Sequence, residues 1–166
     1  MRAPKAHQTA RRSSPQASEC ETPGMNLASI IEPHPADAVA LISRGRPTTY
    51  GELRDQAGAL RGGLVGLGLQ PGDRVAIIAA NNWYFVVSYL AVLGAGCVAV
   101  PLNPTSPGPE LVRELAAVGA RAVIGGPSAK GALASLDRAA LPALERVITS
   151  QGSELAGAVL LDDLLA

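Results

Sequence analysis

Histidine, cysteine and aromatic residues are all scarce in this chain of 166 residues, which limits the kinds of site it can build. The two histidines, His7 and His34, lie in a polar tail and between two prolines, so neither a catalytic triad nor a histidine metal site is indicated. The two cysteines, Cys20 and Cys97, fall in unlike surroundings and are too few for a structural zinc site. A disulfide is not expected between them, and the cytoplasm is the predicted compartment.

An excess of charge of one sign is also lacking, because 14 basic residues face 14 acidic ones and the net charge is zero. The basic residues do not gather into a stripe beyond the N-terminal tail. A protein that binds nucleic acid needs a concentrated basic face to neutralise phosphates. Nucleic acid is therefore not expected as a partner.

Charged residues are missing between Val75 and Pro109, a run long enough to span a membrane. Asn81, Asn82 and Asn103, with several glycines and prolines, divide this run into lengths typical of globular strands and helices. Buried strands of a parallel sheet also read as continuous apolar runs. We therefore expect no transmembrane segment.

The first 24 residues differ in composition from the rest of the chain. They are polar and basic and contain no apolar run, so a secretory signal is not indicated and a disordered extension is predicted over residues 1–24. A hydrophobic content of 48% with 17% charged residues is typical of a globular chain and predicts one folded domain over residues 25–166. Met25 remains open as an alternative start.

The pattern of residues 27–66 predicts a short helix, a β-hairpin and a longer helix. Residues 27–31 form the short helix, and the runs 38–43 and 47–50 form the hairpin. Thr49 precedes a helix over residues 51–66, and Glu52 lies early in it, where a carboxylate suits the helix dipole. One face of that helix is apolar, consisting of Leu53, Ala57, Leu60, Leu64 and Leu67.

From residue 74 onward, apolar strands alternate with helices. Buried strands are predicted at 74–79, 97–100, 121–124 and 146–149, and helices at 83–93, 110–118 and 128–136, with a rigid loop over 101–109 and a helical stub at 162–165. Alternation of this kind favours right-handed βαβ units. The predicted fold class is therefore α/β, a parallel sheet flanked by helices, with the short β-hairpin near its start.

Asn81 and Asn103 are candidate pocket residues. Each follows the carboxyl end of a predicted strand, where open α/β sheets commonly place their ligands. Their amides either line a substrate pocket or only cap a helix and bond within a loop, which asparagine does often. Capping and loop bonding are the favoured interpretation.

Four of the five aromatic residues fall within seven positions of one predicted helix, at Trp83, Tyr84, Phe85 and Tyr89. Such a cluster either walls an apolar pocket for an acyl chain or packs the helix on the sheet. Packing is the favoured interpretation. Trp83 and Tyr84 join the two asparagines as the candidate substrate-pocket residues.

A possible phosphate loop follows the third predicted strand. Residues 125–131 (GGPSAKG) join a strand to a helix, yet they lack the spacer and the Gly-Lys-Ser/Thr ending that surround a phosphate. Asp162 and Asp163 either bind a cation or begin a helix, and the helix is favoured. The residues alone therefore predict no catalytic, cofactor-binding or metal-binding position.

Three segments in order resemble the opening of the adenylate-forming (AMP-dependent) synthetase/ligase superfamily, and in particular its fatty-acyl-CoA synthetases. They are residues 48–53 (TTYGEL), 71–82 (PGDRVAIIAANN) and 93–104 (LGAGCVAVPLNP). The similarity covers about residues 29–161, the N-terminal portion of a usual member. Gly94 departs from it, because many members carry a basic residue there.

The resemblance implies ligation of a carboxylic (fatty) acid to coenzyme A through an acyl-adenylate, with ATP and Mg²⁺. It also implies that the family's phosphate loop, acidic metal ligands and C-terminal lysine lie beyond Ala166. Because these groups stabilise the charge of the transition state, we expect this chain alone to bind none of the cofactors and to be inactive. No catalytic role is carried over to any residue.

Three hypotheses follow from this resemblance. The chain is the N-terminal fragment of an acyl-CoA synthetase, or an interaction protein that pairs with a full-length ligase, or an independent small-molecule-binding domain. A partner is expected because part of a larger sheet leaves an apolar face or an open edge. The expected partner is the remainder of the ligase or a full-length homologue.

Overall fold

The computed structural model describes residues 26–150 and 157–166, so the predicted tail at 1–24, Cys20 and Met25 lie outside the described residues. Two sheets and five α-helices form the fold of these described residues. The strands are β1 (Val39–Ser43), β2 (Arg46–Thr49), β3 (Arg74–Ile78), β4 (Val98–Leu102), β5 (Ala122–Gly125), β6 (Arg146–Thr149) and β7 (Val159–Leu160). The helices are α1 (Tyr50–Gly66), α2 (Trp83–Gly94), α3 (Gly108–Val118), α4 (Lys130–Ala134) and α5 (Leu161–Leu165), with 3₁₀ turns at Leu27–Ile31, Pro127–Ala129 and Arg138–Ala140.

The predicted hairpin and the helix after it are confirmed. Strands β1 and β2 pair antiparallel, and Thr49 ends the hairpin as the N-cap of α1. Its hydroxyl accepts a bond from the Glu52 N–H, and the Glu52 carboxylate accepts one from the Thr49 N–H at 2.8 Å. This capping box satisfies backbone donors that have no partner within the helix. The predicted apolar face is buried except at Leu67, which is the half-buried C-cap.

The second sheet has five parallel strands in the order β4-β3-β5-β6-β7, which confirms the predicted fold class. Strand β3 is central, and its alternate side chains serve opposite faces of the sheet. Val75 and Ile77 pack into the core on the side of α1 and α2, whereas Ala76 and Ile78 pack into the core that contains α3. Both faces of the sheet are therefore covered by helices, as parallel sheets require.

The predicted strand at 97–100 is confirmed as β4, but the predictions that it is buried and that a loop starts at Pro101 are wrong. Strand β4 lies at the edge of the sheet, continues to Leu102 and is half exposed, with Val98 48% exposed. Val98 donates its N–H to the Asp73 carbonyl at 2.8 Å, so by strand alternation Ala99 and Pro101 direct their backbone groups outward. Proline is tolerated because its missing N–H falls at the open edge.

The C-terminal third differs from prediction in two elements. The helix predicted over 128–136 is a 3₁₀ turn followed by the five residues of α4, and Ser135 bonds back to the Ala132 carbonyl at its end. Gly131 weakens the propensity of this segment for a longer helix. Strand β7 was not predicted, because a two-residue strand carries no readable alternation.

A charged network joins the strands at their amino ends. Arg121 contacts Asp73 (Nη1–Oδ2, 2.7 Å) and Glu145 (Nε–Oε1, 3.1 Å), just before β3, β5 and β6 begin. The Gln70 N–H, bonded to Asp73 at 2.7 Å, and the Arg121 guanidinium lower the pKa of the Asp73 carboxyl below its ordinary value. Ion pairing with Glu145 and Asp73 raises the pKa of Arg121. Because these ion pairs occupy the amino ends of the strands, a ligand site is expected at the opposite edge, where the strands end.

Within residues 26–150 and 157–166, no helix is both long enough and apolar enough to cross a membrane.

Candidate functional site

The carboxyl ends of the parallel strands meet at one edge of the sheet, which we call the carboxyl edge. The register aligns Ile78 with Leu102 and Gly125, and Gly125 with Thr149, so β3, β4, β5 and β6 end side by side. Asn81 and Asn103 come shortly after two of these ends. The sequence prediction that both asparagines follow strand ends is confirmed.

Asn81 and its neighbour Asn82 have different roles at the start of α2. Asn82 is the N-cap, and its side-chain oxygen accepts a bond from the Tyr84 N–H at 3.0 Å. Asn81 instead lines an open cleft of about 470 Å³ between the hairpin turn and the first turn of α2, beside Ile42 and Phe85. Helix capping therefore belongs to Asn82, whereas Asn81 borders a cleft.

Asn103 bonds within its own loop. Its side-chain oxygen accepts bonds from the backbone N–H and the hydroxyl of Thr105, at 3.0 and 2.9 Å. This is the local side-chain-to-backbone pattern that asparagine offers in turns. Asn103 lines neither the cleft beside Asn81 nor the cleft beside Trp83.

Trp83 joins α2 to the two elements that precede it. Its indole Nε1 donates to the side-chain oxygen of Gln56 on α1 at 2.8 Å, and its backbone N–H donates to the Ser43 hydroxyl at 3.2 Å. The ring meets Tyr84 edge-on, with centroids 4.9 Å apart. A buried indole N–H needs a partner, and Gln56 supplies it.

Trp83 and Tyr84 also line a second cleft, of about 620 Å³, which the hairpin, α1, α2 and α5 surround. Charges of both signs border it, from Arg44, Arg46, Glu52 and Asp162. Ser43 and Arg44 line both clefts, so the structure brings Asn81, Trp83 and Tyr84 near one another and leaves Asn103 apart.

The other two aromatic side chains of α2 pack rather than line this second cleft. Phe85 and Tyr89 stack with ring centroids 5.7 Å apart and pack, partly buried, against the core. Their one-turn spacing places them on the same side of the helix. For Phe85 and Tyr89, the structure therefore agrees with the favoured interpretation that these aromatic residues pack the helix on the sheet.

The hairpin turn supplies cleft residues that the sequence analysis did not single out. Arg44 adopts a left-handed backbone conformation (φ 52°), followed by Gly45 at φ 78°. Two such residues in succession match the tight hairpin turns that need positive φ. In the sequence, the Arg-Gly pair between two predicted strands indicates this turn. The turn places Arg44 and Arg46 at the cleft of about 620 Å³.

The glycine pair at the end of β5, Gly125 and Gly126, serves packing. A Cβ on Gly125 would collide with the Leu133 side chain, and one on Gly126 would lie 3.1 Å from the Ala79 Cβ. The Gly126 N–H is already bonded to the Ile78 carbonyl at 2.9 Å. A phosphate loop needs free N–H groups and room for the anion. Residues 125–131 therefore do not fit the phosphates of a nucleotide.

Metal-binding groups do not converge among the described residues, where no cluster of three or more His, Cys, Asp or Glu side chains occurs. Asp162 and Asp163 lie in the first turn of α5, as the favoured interpretation expected. Divalent magnesium takes several oxygen ligands, with carboxylates among them. The residues described here do not provide that set.

Comparison with known proteins places this architecture in a family. Residues 28–163 match the family described as AMP-binding enzyme. The 3-[(3aS,4S,7aS)-7a-methyl-1,5-dioxo-octahydro-1H-inden-4-yl]propanoyl:CoA ligase of Mycobacterium tuberculosis is 42% identical over 114 residues, which are 68% of this chain and 22% of that ligase.

Two solved structures share the fold of this chain. An anthranilate CoA ligase in complex with anthranoyl-AMP has a TM-score of 0.77 and 25% identity, over 84% of this chain and 27% of that one. A benzoate CoA ligase from Burkholderia xenovorans LB400 has a TM-score of 0.67 and 29% identity, over 78% of this chain and 25% of that one.

The chain spans about a quarter of the length of these relatives. The matched segment nevertheless includes the hairpin, α1 and every strand of the parallel sheet. The chain therefore belongs to the AMP-binding enzyme family, the adenylate-forming ligases that the three sequence segments resemble.

Proposed function

We propose that this chain forms the N-terminal α/β unit of a carboxylate–CoA ligase, in which ATP activates a carboxylic acid as an acyl-adenylate before the acyl group passes to coenzyme A. The observation that carries the proposal is the family match over residues 28–163, together with a CoA ligase 42% identical over 114 residues. The acid class is a fatty or ring-containing carboxylic acid, since a long-chain-fatty-acid–CoA ligase of Yersinia pestis, 37% identical over 90 residues, matches the chain beside the relatives named for ring-containing acids.

The unit contributes the parallel sheet with its helices and part of the substrate pocket. The groups that bind phosphate and catalyse the reaction come from segments outside it. The glycines of residues 125–131 are packed against Leu133 and Ala79, so they offer no cradle for phosphates. Without oriented donors and a metal, the charge that develops on the phosphate has no stabilisation. We therefore expect the described residues alone to be inactive and to bind ATP, Mg²⁺ and coenzyme A only as part of a larger assembly.

The substrate-pocket residues of the unit are Asn81, Trp83 and Tyr84, whereas Asn103 contributes indirectly by fixing its loop. The clefts that border them are open, and ligand sites usually bury most of a small molecule. A further layer of protein has to close the clefts before they hold an acid. The sequence-derived pocket is thus proposed as one wall of the complete site.

The partner of this unit is the remainder of the ligase or a full-length homologue. The hairpin beside the Asn81 cleft carries exposed apolar side chains, with Val39 54% and Ile42 71% exposed. Large apolar side chains exposed next to a cleft favour association with another protein surface. This observation supports the second candidate function, in which the chain acts as a non-enzymatic subdomain that pairs with an intact ligase.

A chimera tests the proposal. The segment of the M. tuberculosis ligase that corresponds to residues 28–163 is replaced by those residues of this chain, and acyl-CoA formation from that ligase's own acid is measured. The proposal expects a folded, active chimera whose KM for the acid is altered, with a smaller change in KM for ATP. As a control, the same ligase carries a deletion of the segment and should be inactive.

Two variants of the active chimera distinguish the role of Asn81 from that of Asn103. Asn81→Ala should raise the KM for the acid several-fold, because it removes a polar group from the cleft wall. Asn103→Ala should mainly lower stability, since its oxygen bonds only within the loop in the contacts described above. A folded chimera without ligase activity would reject the ligase assignment, and would leave the pairing function as the remaining candidate.

A further inference from the structure

A small cavity lies at the carboxyl edge, between the ends of β5 and β6 and the segment that leads into α4. Its volume is about 20 Å³, and it is lined by Gly125, Gly126, Pro127, Lys130, Leu133, Thr149 and Ser150. A cavity needs roughly 10–15 Å³ of this kind of volume to hold one water molecule. The space therefore suits one small molecule and excludes a substrate.

Ser150 gives this cavity its chemistry. The residue is 8% exposed, and its hydroxyl is fully buried without a hydrogen-bond partner. A buried hydroxyl that forms no hydrogen bond costs about 1–3 kcal/mol. The backbone N–H of Ser150 is already bonded to the Gly125 carbonyl at 3.0 Å, so the hydroxyl is the group left to satisfy.

The backbone around the cavity favours a hydrogen-bond donor as the occupant. The N–H of Gly126 is bonded to the Ile78 carbonyl, and Pro127 has no N–H. The carbonyls of Gly125 and Gly126 each accept one bond and keep a second lone pair. The backbone N–H groups named here are not free for an anion, which leaves Lys130 as the charged donor at the cavity, whereas a water molecule can donate to a carbonyl while it bonds the hydroxyl.

We propose that a single ordered water molecule occupies this cavity, bound to the Ser150 hydroxyl and to a carbonyl of the Gly125–Lys130 segment. The water bridges the end of β6 to the turn before α4. It thereby fixes the Gly126–Lys130 segment against the sheet at the same edge as Asn81. This site is independent of the proposed ligase function, because it requires only the packing of residues 125–150.

High-resolution crystal structures of the full chain test the proposal, with Ser150→Ala as the variant and Ser128→Ala as the control. Ser128 belongs to the same turn but is exposed and does not line the cavity. The wild type and Ser128→Ala should show density for one water within hydrogen-bond distance of the Ser150 hydroxyl. Ser150→Ala should lose that density.

Three results would overturn the proposal: a dry cavity in the wild type, a water retained in Ser150→Ala, or a larger anion bound beside Lys130. The last is checked in solution by titrating the wild type with inorganic phosphate and following the amide resonances of residues 125–131. No saturable shift is expected. Should Ser150→Ala fail to fold, the wild-type density and the phosphate titration still decide between water, anion and empty space.

Discussion

The indole Nε1 of Trp83 donates to the side-chain oxygen of Gln56 at 2.8 Å, which joins the start of α2 to the middle of α1. The same tryptophan holds the hairpin through the Ser43 hydroxyl. Trp83 therefore fixes three elements around the clefts, and its contribution to any substrate pocket depends on this bond to Gln56.

A double-mutant cycle measures how much the hydrogen bond between Trp83 and Gln56 contributes to the free energy of unfolding. Trp83→Phe and Gln56→Leu are each expected to destabilise the fold, by about 1 kcal/mol for the lost hydrogen bond in addition to any packing change. Because the two residues share one bond, their effects should couple by roughly 0.5–1.5 kcal/mol in urea unfolding. Strict additivity of the two changes would contradict the role given to the pair.

The Asp73 carboxylate should make stability depend on pH in the acid range. Its pKa is lowered from the ordinary 3.8 by the Gln70 N–H and by Arg121, so the folded state favours the ionised form. The resulting stabilisation is fully present above pH 3.8 and is lost as the pH falls through the lowered pKa of the folded state.

Asp73→Asn tests this dependence by urea unfolding between neutral and acid pH. At pH 7 the variant should be less stable than the wild type by about 1 kcal/mol, the order of a charged hydrogen bond at a partly exposed site. The difference should close below pH 3.8. Asp55→Asn, which removes an exposed carboxylate from α1, is the charge-matched control. If the stability difference between the wild type and Asp73→Asn stayed constant down to acid pH, the ionised Asp73 carboxylate would not stabilise the fold.

Two adjacent glycines of α1 should respond in opposite ways to alanine. A Cβ on Gly62 meets nothing within 4 Å, so Gly62→Ala should stabilise the chain by up to about 1 kcal/mol through helix propensity. A Cβ on Gly63 would lie 2.9 Å from the Leu164 Cδ2 and 3.0 Å from its Cβ, so α5 has to shift.

Hydrogen exchange of α5 distinguishes the two variants. Gly63→Ala should lose protection over residues 161–165 while α1 stays protected, and Gly62→Ala should leave α5 unchanged. Equal protection of α5 in both variants would mean that the packing of α5 on α1 does not depend on the missing side chain at Gly63.

Pro101 should keep the open edge of the sheet from pairing with another strand. Pro101→Val restores a backbone N–H that points outward from β4, and a regular unpaired edge promotes association. We expect concentration-dependent self-association, measured by sedimentation velocity. Pro142→Val, in an exposed loop, is the matched control and should remain as the wild type. A monomeric Pro101→Val protein would show that the edge is protected by something else.

The sequence predicted the centre of the fold well because local signals there agreed with one another. The Thr49–Glu52 capping box, the alternation of apolar strands with helices and the glycine after α3 all lie in the printed sequence. The order of the strands in the sheet cannot be read there, and the apolar character of residues 97–100 suggested a buried strand. Only the pairing of β4 with β3 alone reveals that it is an edge.

The candidate site was predictable only in part for a similar reason. Strand ends identified Asn81 and Asn103, but the sequence does not say which asparagine side chain is used within its own loop. The bonds from Thr105 to Asn103 answer that question. The hairpin turn places Arg44 and Arg46 at the cleft of about 620 Å³. The position of this turn depends on the contact between the hairpin and Trp83, which the sequence does not show.

ATP–pyrophosphate exchange shows whether this unit can activate a carboxylate without further segments. The 166-residue chain is assayed with Mg-ATP and a set of carboxylic acids, alone and together with the M. tuberculosis ligase lacking its matched segment. We expect no acid-dependent exchange by the chain alone, and exchange that appears when the two proteins are combined. Acid-dependent exchange by the chain alone would contradict the claim that this unit needs further segments for carboxylate activation.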